Sequence, residues 1–248
     1  MNTPFSLESK TILVTGASSG IGRATALLCA EMGAKVLSVG RNEQRLAETS
    51  SLLSGEGHSL YAFDLNDEQA VDEAILRFPT VDGIANCAGV AKMMPFQFVN
   101  KQEMETVFSA NFFSPVMLVN KLLKAKKLQK GGSVVFVSSI DGPRTVHAGN
   151  SVYAASKSAL VGMARNMAVD LMGKRIRVNC VLPGTTDTAM IHTENVTDEM
   201  LQETAKALPM KRFARPEEIA NAIVFLLSDA SSYINGTELI VDGGFSIL

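Results

Sequence analysis

Short aliphatic or β-branched runs alternate with amphipathic segments along this chain. The first pair is the run from Thr11 to Val14 and a helical segment with Ile21, Ala24, Leu28 and Met32 at helical spacing. Further apolar runs predict strands at Lys35 to Val39, Ser59 to Phe63, Gly83 to Asn86, Ser133 to Ser138, Arg177 to Val181 and Glu238 to Val241. Because these runs are apolar on both faces, we predict an α/β fold with a doubly wound, seven-stranded parallel sheet flanked by helices. Ligands of such sheets bind outside the carboxyl ends of the strands.

Length and composition favour one large domain. The chain has 248 residues, of which 46% are hydrophobic and 19% are charged, and its net charge is −2. No internal repeat or Pro/Gly/Ser-rich linker divides it, so we predict a single domain over residues 1–248. The irregular stretch from Pro183 to Asn195 predicts a loop over the site, and we place a substrate loop near residues 183–212.

Several classes of protein are disfavoured by composition. No window is long and apolar enough to span a membrane, and Met1 to Lys10 lacks the pattern of a signal peptide, so we expect a cytoplasmic protein. Cys29, Cys87 and Cys180 have no metal-binding spacing, which favours buried reduced thiols over metal ligands or disulfides, and we predict no metal. The balanced charge and the lack of a basic segment give no footprint for nucleic acid.

A glycine-rich turn follows the first predicted strand. It consists of Thr15, Gly16, Ala17, Ser18, Ser19, Gly20, Ile21 and Gly22. The glycines permit a tight turn and a close approach of phosphate, and the two serines can donate hydrogen bonds at a helix N-terminus. This pattern predicts a pyrophosphate site, although any tight turn between a strand and a helix can require glycine.

The end of the second strand indicates which nicotinamide cofactor is bound. An acidic residue about 20 residues beyond the glycine turn commonly holds the adenosine ribose diol, but this chain has Arg41 between Gly40 and Asn42. A guanidinium suits a 2′-phosphate, so we favour NADP(H), with NAD(H) as the alternative, over a merely solvated loop arginine. Asp64, after the third strand, suits either an adenine amino group or a cap on the next helix.

Tyr153 and Lys157 are spaced for proton chemistry. Positions i and i+4 share one face of a helix, so the lysine charge would draw the phenol pKa from about 10 toward neutrality. A phenol tuned in this way can act as a general acid or base. The alternative is an ordinary surface pair, which is common at this spacing.

Taken in order, several motifs resemble the short-chain dehydrogenase/reductase family over essentially the whole chain. They are Thr15-Gly-x-x-x-Gly-x-Gly22, Asn86-Cys87-Ala88-Gly89, Asn111, Ser139, Tyr153-x-x-x-Lys157 and Pro183-Gly184. The resemblance implies a Rossmann fold and hydride transfer between NAD(P)(H) and an alcohol or carbonyl.

The resemblance also assigns roles. Tyr153 would be the proton donor or acceptor, and Lys157 would lower its pKa and hold the nicotinamide ribose. Ser139, preferred to Ser138, would bind the substrate oxygen, and Asn111 would position a water that links Lys157 to solvent. Besides the glycine turn, Arg41, Asp64, Tyr153 and Lys157, the cofactor would contact Leu65, Asn86, Ala88, Gly89, Pro183, Gly184, Thr186 and Thr188.

Three departures from the family pattern bear on the pocket. Cys87 stands where a second asparagine is frequent, and Thr186 stands where an aliphatic residue often covers the nicotinamide. One extra residue separates Ser139 from Tyr153, so the segment from Asp141 to Asn150 changes the substrate mouth. No reacting group is lost.

The substrate is the least determined feature. Flexible, mainly apolar residues are expected at the pocket rim: Met93, Met94, Phe96, Pro143, His147, Met190 and Ile191. We place a 3-oxoacyl (thioester) reductase first, with sugar, steroid or small-ketone reductases as alternatives. An acidic carrier protein would dock on Lys124, Lys126, Lys127, Lys130, Lys174 and Arg175, unless these form only a solvated face.

Two expectations concern the whole molecule. A non-catalytic NADP-binding regulator is the alternative from another class, and the intact set of Asn111, Ser139, Tyr153 and Lys157 argues against it. The resemblance implies a homotetramer built by the helices around Asn111 and Tyr153 and by the C-terminal region, whose apolar end suits a subunit contact.

Overall fold

Parallel strands form one sheet at the centre of the computed structural model, which describes residues 3–192 and 196–248. Apolar and β-branched residues dominate each strand, as a sheet buried on both faces requires. The strands are β1 Thr11–Thr15, β2 Lys35–Gly40, β3 Ser59–Ala62, β4 Val81–Asn86, β5 Leu128–Val137, β6 Arg177–Pro183 and β7 Glu238–Val241.

The strand order is β3-β2-β1-β4-β5-β6-β7, and every neighbouring pair is parallel. The chain therefore begins at the middle of the sheet, extends to one edge, and then returns to extend to the other. The order reverses between β1 and β4, which is the switch point where such sheets bind ligands. The predicted doubly wound, seven-stranded parallel sheet is confirmed.

Helices cover both faces of the sheet. Those in the described part of the chain are α1 Gly20–Glu31, α2 Glu43–Ser50, α3 Glu68–Arg77, α4 Lys101–Phe108, α5 Ser114–Lys124, α6 Ser151–Asp170, α7 Asp198–Ala207 and α8 Pro216–Leu227. Residues of α3, α5 and α6 pack on one face, and residues of α1, α2 and α8 pack on the other. Side chains alternate along a strand, so Leu13 faces the first layer while Ile12 and Val14 face the second.

Two predicted boundaries require correction. Strand β5 begins at Leu128 rather than at Ser133, because Leu128 pairs with Val81 across a register shift that the apolar pattern does not reveal. The predicted substrate loop near residues 183–212 contains helix α7, so it is not irregular throughout. The predicted end of the irregular stretch, Asn195, lies outside the described residues, as does Met1, the start of the segment tested for a signal peptide.

No helix in residues 3–192 and 196–248 is both long and apolar enough to cross a membrane.

Candidate active site

The glycine turn lies at the carboxyl end of β1, directly against the chain that follows β4. Gly16 has a φ of +68°, and a Cβ there would lie 3.0 Å from the Ala88 Cα. A Cβ on Gly22 would lie 2.2 Å from the Gly16 carbonyl oxygen. The Thr15 hydroxyl accepts hydrogen bonds from the Cys87 and Ala88 amides, both at 3.1 Å. The turn thus packs against the chain after β4 at the switch point. A side chain at Gly16 would collide with that chain, and a side chain at Gly22 would collide with the turn itself.

Helix α1 begins at this turn with its first amides available. Ser19 is the N-cap residue, yet its side chain makes no capping hydrogen bond. The first turn of a helix has no internal acceptors for its N–H groups and carries the positive end of the helix dipole. Ile21 packs against the core on the α1 side, and Ser18 lies beside Gly40 of β2. The predicted turn residues therefore fit a dinucleotide pyrophosphate.

The chain after β4 provides a second surface at the switch point. Asn86 is buried, and neither atom of its side-chain amide has a hydrogen-bond partner in the described part of the chain. A Cβ on Gly89 would lie 3.1 Å from the Asn111 Oδ1 and 3.4 Å from the Lys157 Nζ. Asn86, Ala88 and Gly89 thus lie between the glycine turn and the Tyr153 helix, where the prediction places them.

Arg41 and Asp64 follow neighbouring strands and form an exposed ion pair. The Arg41 guanidinium lies 3.8 Å from the Asp64 Oδ2, and the Arg41 side chain is 69% exposed. Asp64 does not cap α3, because Asp67 is the N-cap and accepts from the Ala70 amide at 3.0 Å. Asp64 Oδ1 accepts instead from the Asn66 amide at 2.9 Å. The capping alternative for Asp64 is therefore wrong, and its contact with adenine stays a prediction.

The chain after β6 passes over the glycine turn. The Thr188 Cγ2 lies 3.0 Å from the position of a Cβ on Gly20. The Thr186 hydroxyl donates to the carbonyl of Gly184 at 3.0 Å, so it is engaged within its own loop. Pro183 and Gly184 thus place Thr188 beside the predicted pyrophosphate site. Leu65, also predicted to contact the cofactor, packs partly buried against the core on the α3 side.

Tyr153 and Lys157 occupy the first turns of α6, beside the end of β5. The Lys157 Nζ lies 5.7 Å from the centroid of the Tyr153 ring and donates to the Val137 carbonyl at 2.8 Å. Lys157 is only 5% exposed, so the pair is not an ordinary surface pair. The ammonium and the phenol lie side by side at the carboxyl edge of the sheet.

The two serines after β5 have different surroundings. The Ser138 hydroxyl donates to the Lys157 carbonyl at 2.9 Å, so its proton is used in holding α6. The Ser139 Oγ accepts from the Asp141 amide at 3.1 Å, which leaves the Ser139 proton for another acceptor. This geometry agrees with the preference for Ser139 as the residue that binds the substrate oxygen, and that role stays a prediction.

Asn111 lies in a π-helix, Ser109–Phe113, between α4 and α5. This matches the helix irregularity that the resemblance implies, and such wide turns often lie at functional sites. The Asn111 Oδ1 accepts from the Val90 amide at 2.8 Å, and its Nδ2 donates to the Val90 carbonyl at 2.9 Å. The Nδ2 also contacts the Ser156 hydroxyl at 3.1 Å. Asn111 therefore joins the β4 loop to α6, while its role in a water relay stays a prediction.

Burial, more than the neighbouring charge, governs the acidity of these groups. It raises the pKa of Tyr153 to about 12; the hydrogen bond with Ser139 lowers this pKa, and the negative charge of Asp141 raises it. Burial also lowers the pKa of Lys157 to about 8. The expectation that Lys157 draws the Tyr153 pKa toward neutrality is therefore wrong for the protein alone. At neutral pH Tyr153 is a protonated phenol and thus a proton donor.

Sequence reasoning missed Asp141. Its carboxylate accepts from three side chains of the segment that follows it, at 2.5 to 2.8 Å. One of the three is His147, which was predicted at the pocket rim and whose Nδ1 lies 2.5 Å from the Asp141 Oδ1. In the sequence, Asp141 is only an acidic residue two positions after Ser139. Its partners become visible only in the structure, where the segment folds back on the carboxylate.

The predicted carrier-protein surface is not at the active site. Lys124 ends α5, Lys130 lies near the start of β5, and Arg175 precedes β6. Because the strands are parallel, these residues lie at the edge of the sheet opposite to Ser139 and Tyr153. Lys127 donates to the Phe78 carbonyl at 2.5 Å and is therefore engaged within the protein. A carrier protein bound to these residues would therefore lie away from the catalytic groups, which favours the alternative of a solvated face, and carrier docking stays a prediction.

The cysteines are free thiols, as predicted. Cys29 and Cys180 are buried, and Cys87 is half-buried with its Sγ 3.9 Å from the Thr25 hydroxyl. Burial raises the pKa of Cys87 and of Cys180 to about 12, so both stay protonated at neutral pH. No cluster of three His, Cys, Asp or Glu side chains within the described ranges is placed to hold a metal ion.

Comparisons with known proteins agree with this arrangement. A family model described as Enoyl-(Acyl carrier protein) reductase matches residues 16–246. A 3-oxoacyl-(acyl-carrier-protein) reductase from Chlamydia trachomatis is 35% identical in an alignment 247 residues long, which covers 97% of this chain and 98% of the relative. A protein of the same description from Thermotoga maritima is 32% identical, with 97% of this chain and 99% of the relative covered.

A solved structure is similar over the full length. L-Sorbose reductase from Gluconobacter frateurii, complexed with NADPH and L-sorbose, superposes with a TM-score of 0.91 at 29% identity. The match covers 99% of this chain and 100% of that chain.

Proposed function

Because the chain belongs to the short-chain dehydrogenase/reductase family, and is thus an oxidoreductase acting on CH–OH and C=O groups, we propose that it is an NADP(H)-dependent carbonyl reductase. The observation that supports this most directly is the half-buried Tyr153 phenol beside Lys157 and Ser139, at the carboxyl edge of the sheet. Its pKa of about 12 keeps the phenol protonated at neutral pH, which suits proton donation to a carbonyl oxygen.

Each member of the site has a distinct task in this proposal. The nicotinamide cofactor, when bound, supplies or accepts the hydride. Tyr153 donates its proton to the substrate oxygen, and the Ser139 hydroxyl donates a hydrogen bond to the charge that develops on that oxygen. Lys157 supplies positive charge beside the phenol. Asn111 fixes the β4 loop against α6 and thereby holds these groups together.

The preference for the phosphorylated cofactor rests on Arg41. Its guanidinium is exposed at the end of β2, in the place where a carboxylate would select the unphosphorylated ribose. The L-sorbose reductase is complexed with NADPH, which supports the choice of cofactor. Asp64 lies close enough to Arg41 to compete with a phosphate, so we propose a preference for NADP(H) rather than exclusion of NAD(H).

For the substrate we place a 3-oxoacyl thioester first, because the curated relatives that match at 35% and 32% identity bear that description. A sugar or other polar ketone is the second candidate. Asp141 and His147 give the substrate mouth a polar side, and the likeness to an L-sorbose reductase points the same way. Met93 and Phe96 are largely exposed and give the rim an apolar side, as an acyl chain, steroid or small ketone would need.

Initial rates of NADPH and NADH oxidation test the proposal across an acetoacetyl thioester, L-sorbose, a keto-steroid and a small ketone. We expect faster turnover with NADPH than with NADH, and the thioester to be the best substrate. Tight NADPH binding without turnover of any member would contradict the reductase and support a non-catalytic regulator.

We also propose a homotetramer. Ile247 and Leu248 are 84% and 94% exposed at the C-terminus, and Phe113 and Met117 are exposed beside Asn111. Light scattering tests this: a tetramer mass is expected, and a monomer would contradict it. The free thiols suit a reducing compartment, so we propose that the protein acts in the cytoplasm.

A further inference from the structure

Asp141 holds together the segment that follows the catalytic serine. Its side chain is 13% exposed, and Oδ1 accepts from the Thr145 hydroxyl at 2.8 Å and from the His147 Nδ1 at 2.5 Å. Oδ2 accepts from the Asn150 Nδ2 at 2.5 Å. An ionised carboxylate only accepts hydrogen bonds, so all three partners must donate. The segment is therefore closed around one carboxylate by charge-assisted hydrogen bonds.

The closed segment packs directly on the helix that contains Tyr153. Gly142 has a φ of +97°, and a Cβ there would lie 2.3 Å from the Ala154 carbonyl oxygen. Asn150 is the N-cap of α6, and its carbonyl accepts from the Ala154 amide at 2.9 Å. Its side chain makes no capping bond and instead donates to Asp141. The carboxylate thus connects the start of α6 to the chain immediately after Ser139.

The backbone of Asp141 acts on Ser139 itself. The Asp141 amide donates to the Ser139 Oγ at 3.1 Å. Because this bond occupies a lone pair of the hydroxyl, it orients the Ser139 proton toward a different acceptor. In the proposed function that acceptor is the substrate oxygen, which must lie within hydrogen-bond reach of Tyr153 as well.

We propose that Asp141 is a positioning residue of the active site, which orients Ser139 through its amide and sets Tyr153 against Ser139 through its carboxylate bonds to the segment that begins α6. The inference rests on the proposed roles of Ser139 and Tyr153. It assigns Asp141 no contact with the substrate, and it makes Thr145, His147 and Asn150 the side chains through which the carboxylate acts.

The negative charge of Asp141 adds a measurable consequence. Asp141 and Ser139 act on the pKa of the Tyr153 phenol, and the Lys157 Nζ lies 5.7 Å from the centroid of its ring. His147 is hydrogen-bonded to Asp141, and the Cys87 and Cys180 thiols act on the pKa of Lys157. Asp141 raises the pKa of Tyr153. A substitution that removes the Asp141 charge but keeps the hydrogen bonds should therefore lower the pKa of Tyr153.

Two substitutions separate charge from position. Asp141→Asn keeps the size and can still accept from Thr145 and His147. The Asn150 Oδ1 has no partner in the described part of the chain, so the Asn150 amide can turn and accept from the new amide group. Asp141→Ala removes all three side-chain bonds. Asp170→Asn, an exposed acid at the far end of α6, is the matched control.

The kinetic test uses NADPH with the acetoacetyl thioester or L-sorbose, whichever turns over faster. For Asp141→Ala we expect kcat/KM for the carbonyl to fall about 10- to 100-fold, with NADPH affinity within about twofold of the native value. For Asp141→Asn we expect kcat/KM within about threefold of the native value, because the hydrogen bonds are kept and only the charge is lost. Asp170→Asn should match the native protein.

A second measurement needs no substrate. The chain has three tyrosines, so the difference in phenolate absorbance between native and Asp141→Asn protein during an alkaline titration reports on Tyr153. The phenolate should form at a lower pH in the variant. Native kcat/KM in Asp141→Ala, or a native alkaline titration in Asp141→Asn, would overturn the proposal. A loss in Asp141→Ala matched by an equal loss of NADPH affinity and a lower melting temperature would also overturn it, since that result indicates a general structural role.

The Tyr153→Phe variant distinguishes failure of the positioning role of Asp141 from failure of the proposed function. If Tyr153→Phe keeps native turnover, the proposed catalytic roles are wrong. If Tyr153→Phe loses turnover while both Asp141 variants behave as native, only the positioning role is wrong.

Discussion

Arg41→Ala is the sharpest test of cofactor preference. The substitution removes a guanidinium that is 69% exposed and lies 3.8 Å from Asp64. Backbone structure should be unaffected, because the cap of α2 is Asn42, whose side chain accepts from the Arg45 amide at 2.9 Å. The change therefore removes charge from the predicted 2′-phosphate site without removing the helix that follows it.

The expected magnitude follows from the exposure of the side chain. Hydrogen bonds to charged groups contribute about 1.5 to 3 kcal/mol, and tenfold in affinity corresponds to about 1.4 kcal/mol. Since Arg41 is mostly in solvent and already pairs with Asp64, the low end applies, at about 1.5 to 2 kcal/mol. KM for NADPH should rise about 10- to 30-fold, while KM for NADH should change by less than about twofold.

Initial-rate kinetics with both cofactors measure this directly, at low and at moderate ionic strength. Arg77→Ala, an exposed arginine at the end of α3, is the control and should leave both KM values unchanged. Asp64→Asn should lower KM for NADPH severalfold, since a like charge near the phosphate is removed. Equal losses with NADPH and NADH in Arg41→Ala would refute the assigned role of Arg41.

Three further changes test the site. Asn111→Ala leaves the half-buried Val90 amide and carbonyl without their partner, so we expect about 1 to 3 kcal/mol lower stability and a melting temperature lower by roughly 2 to 12 °C; an unchanged melting curve would contradict the bridging contacts. Gly16→Ala places a Cβ against Ala88 at positive φ, and should lose the thermal stabilisation that NADPH gives to the native protein. Because burial lowers the Lys157 pKa to about 8, its ammonium is lost above that pH, and kcat/KM for carbonyl reduction should fall there; a level profile to pH 10 would contradict a role for the charged form.

The sheet could be predicted from the sequence because each strand is marked by a local pattern of apolar residues. Each buried strand is a short apolar run, and parallel strands place their carboxyl ends at one edge, so Gly16, Arg41, Asn86 and Ser139 were predicted to lie near one another. What the sequence could not show depends on contacts between distant segments. The early start of β5 arises from pairing with β4, and no local pattern encodes that register.

The site shows the same limit. The spacing of Tyr153 and Lys157 correctly predicts that they lie side by side, but not that burial is the largest influence on the pKa of each. Asp141 gave no signal because its three partners meet only when residues 141–150 close on α6. The position of the basic residues Lys124, Lys130 and Arg175, at the end of the sheet opposite to Ser139, likewise follows from the strand directions and not from the local sequence.

In the proposed reaction, Tyr153 donates the proton to the substrate oxygen. The most direct test compares native protein with Tyr153→Phe in two measurements on the same preparation, NADPH affinity and NADPH oxidation with the preferred carbonyl substrate. We predict an NADPH affinity within about threefold of the native value and turnover lower by about 10²- to 10⁴-fold, since the ring remains and only the acid is lost. Turnover within tenfold of the native value, with NADPH still bound, would contradict the role of Tyr153 as the proton donor.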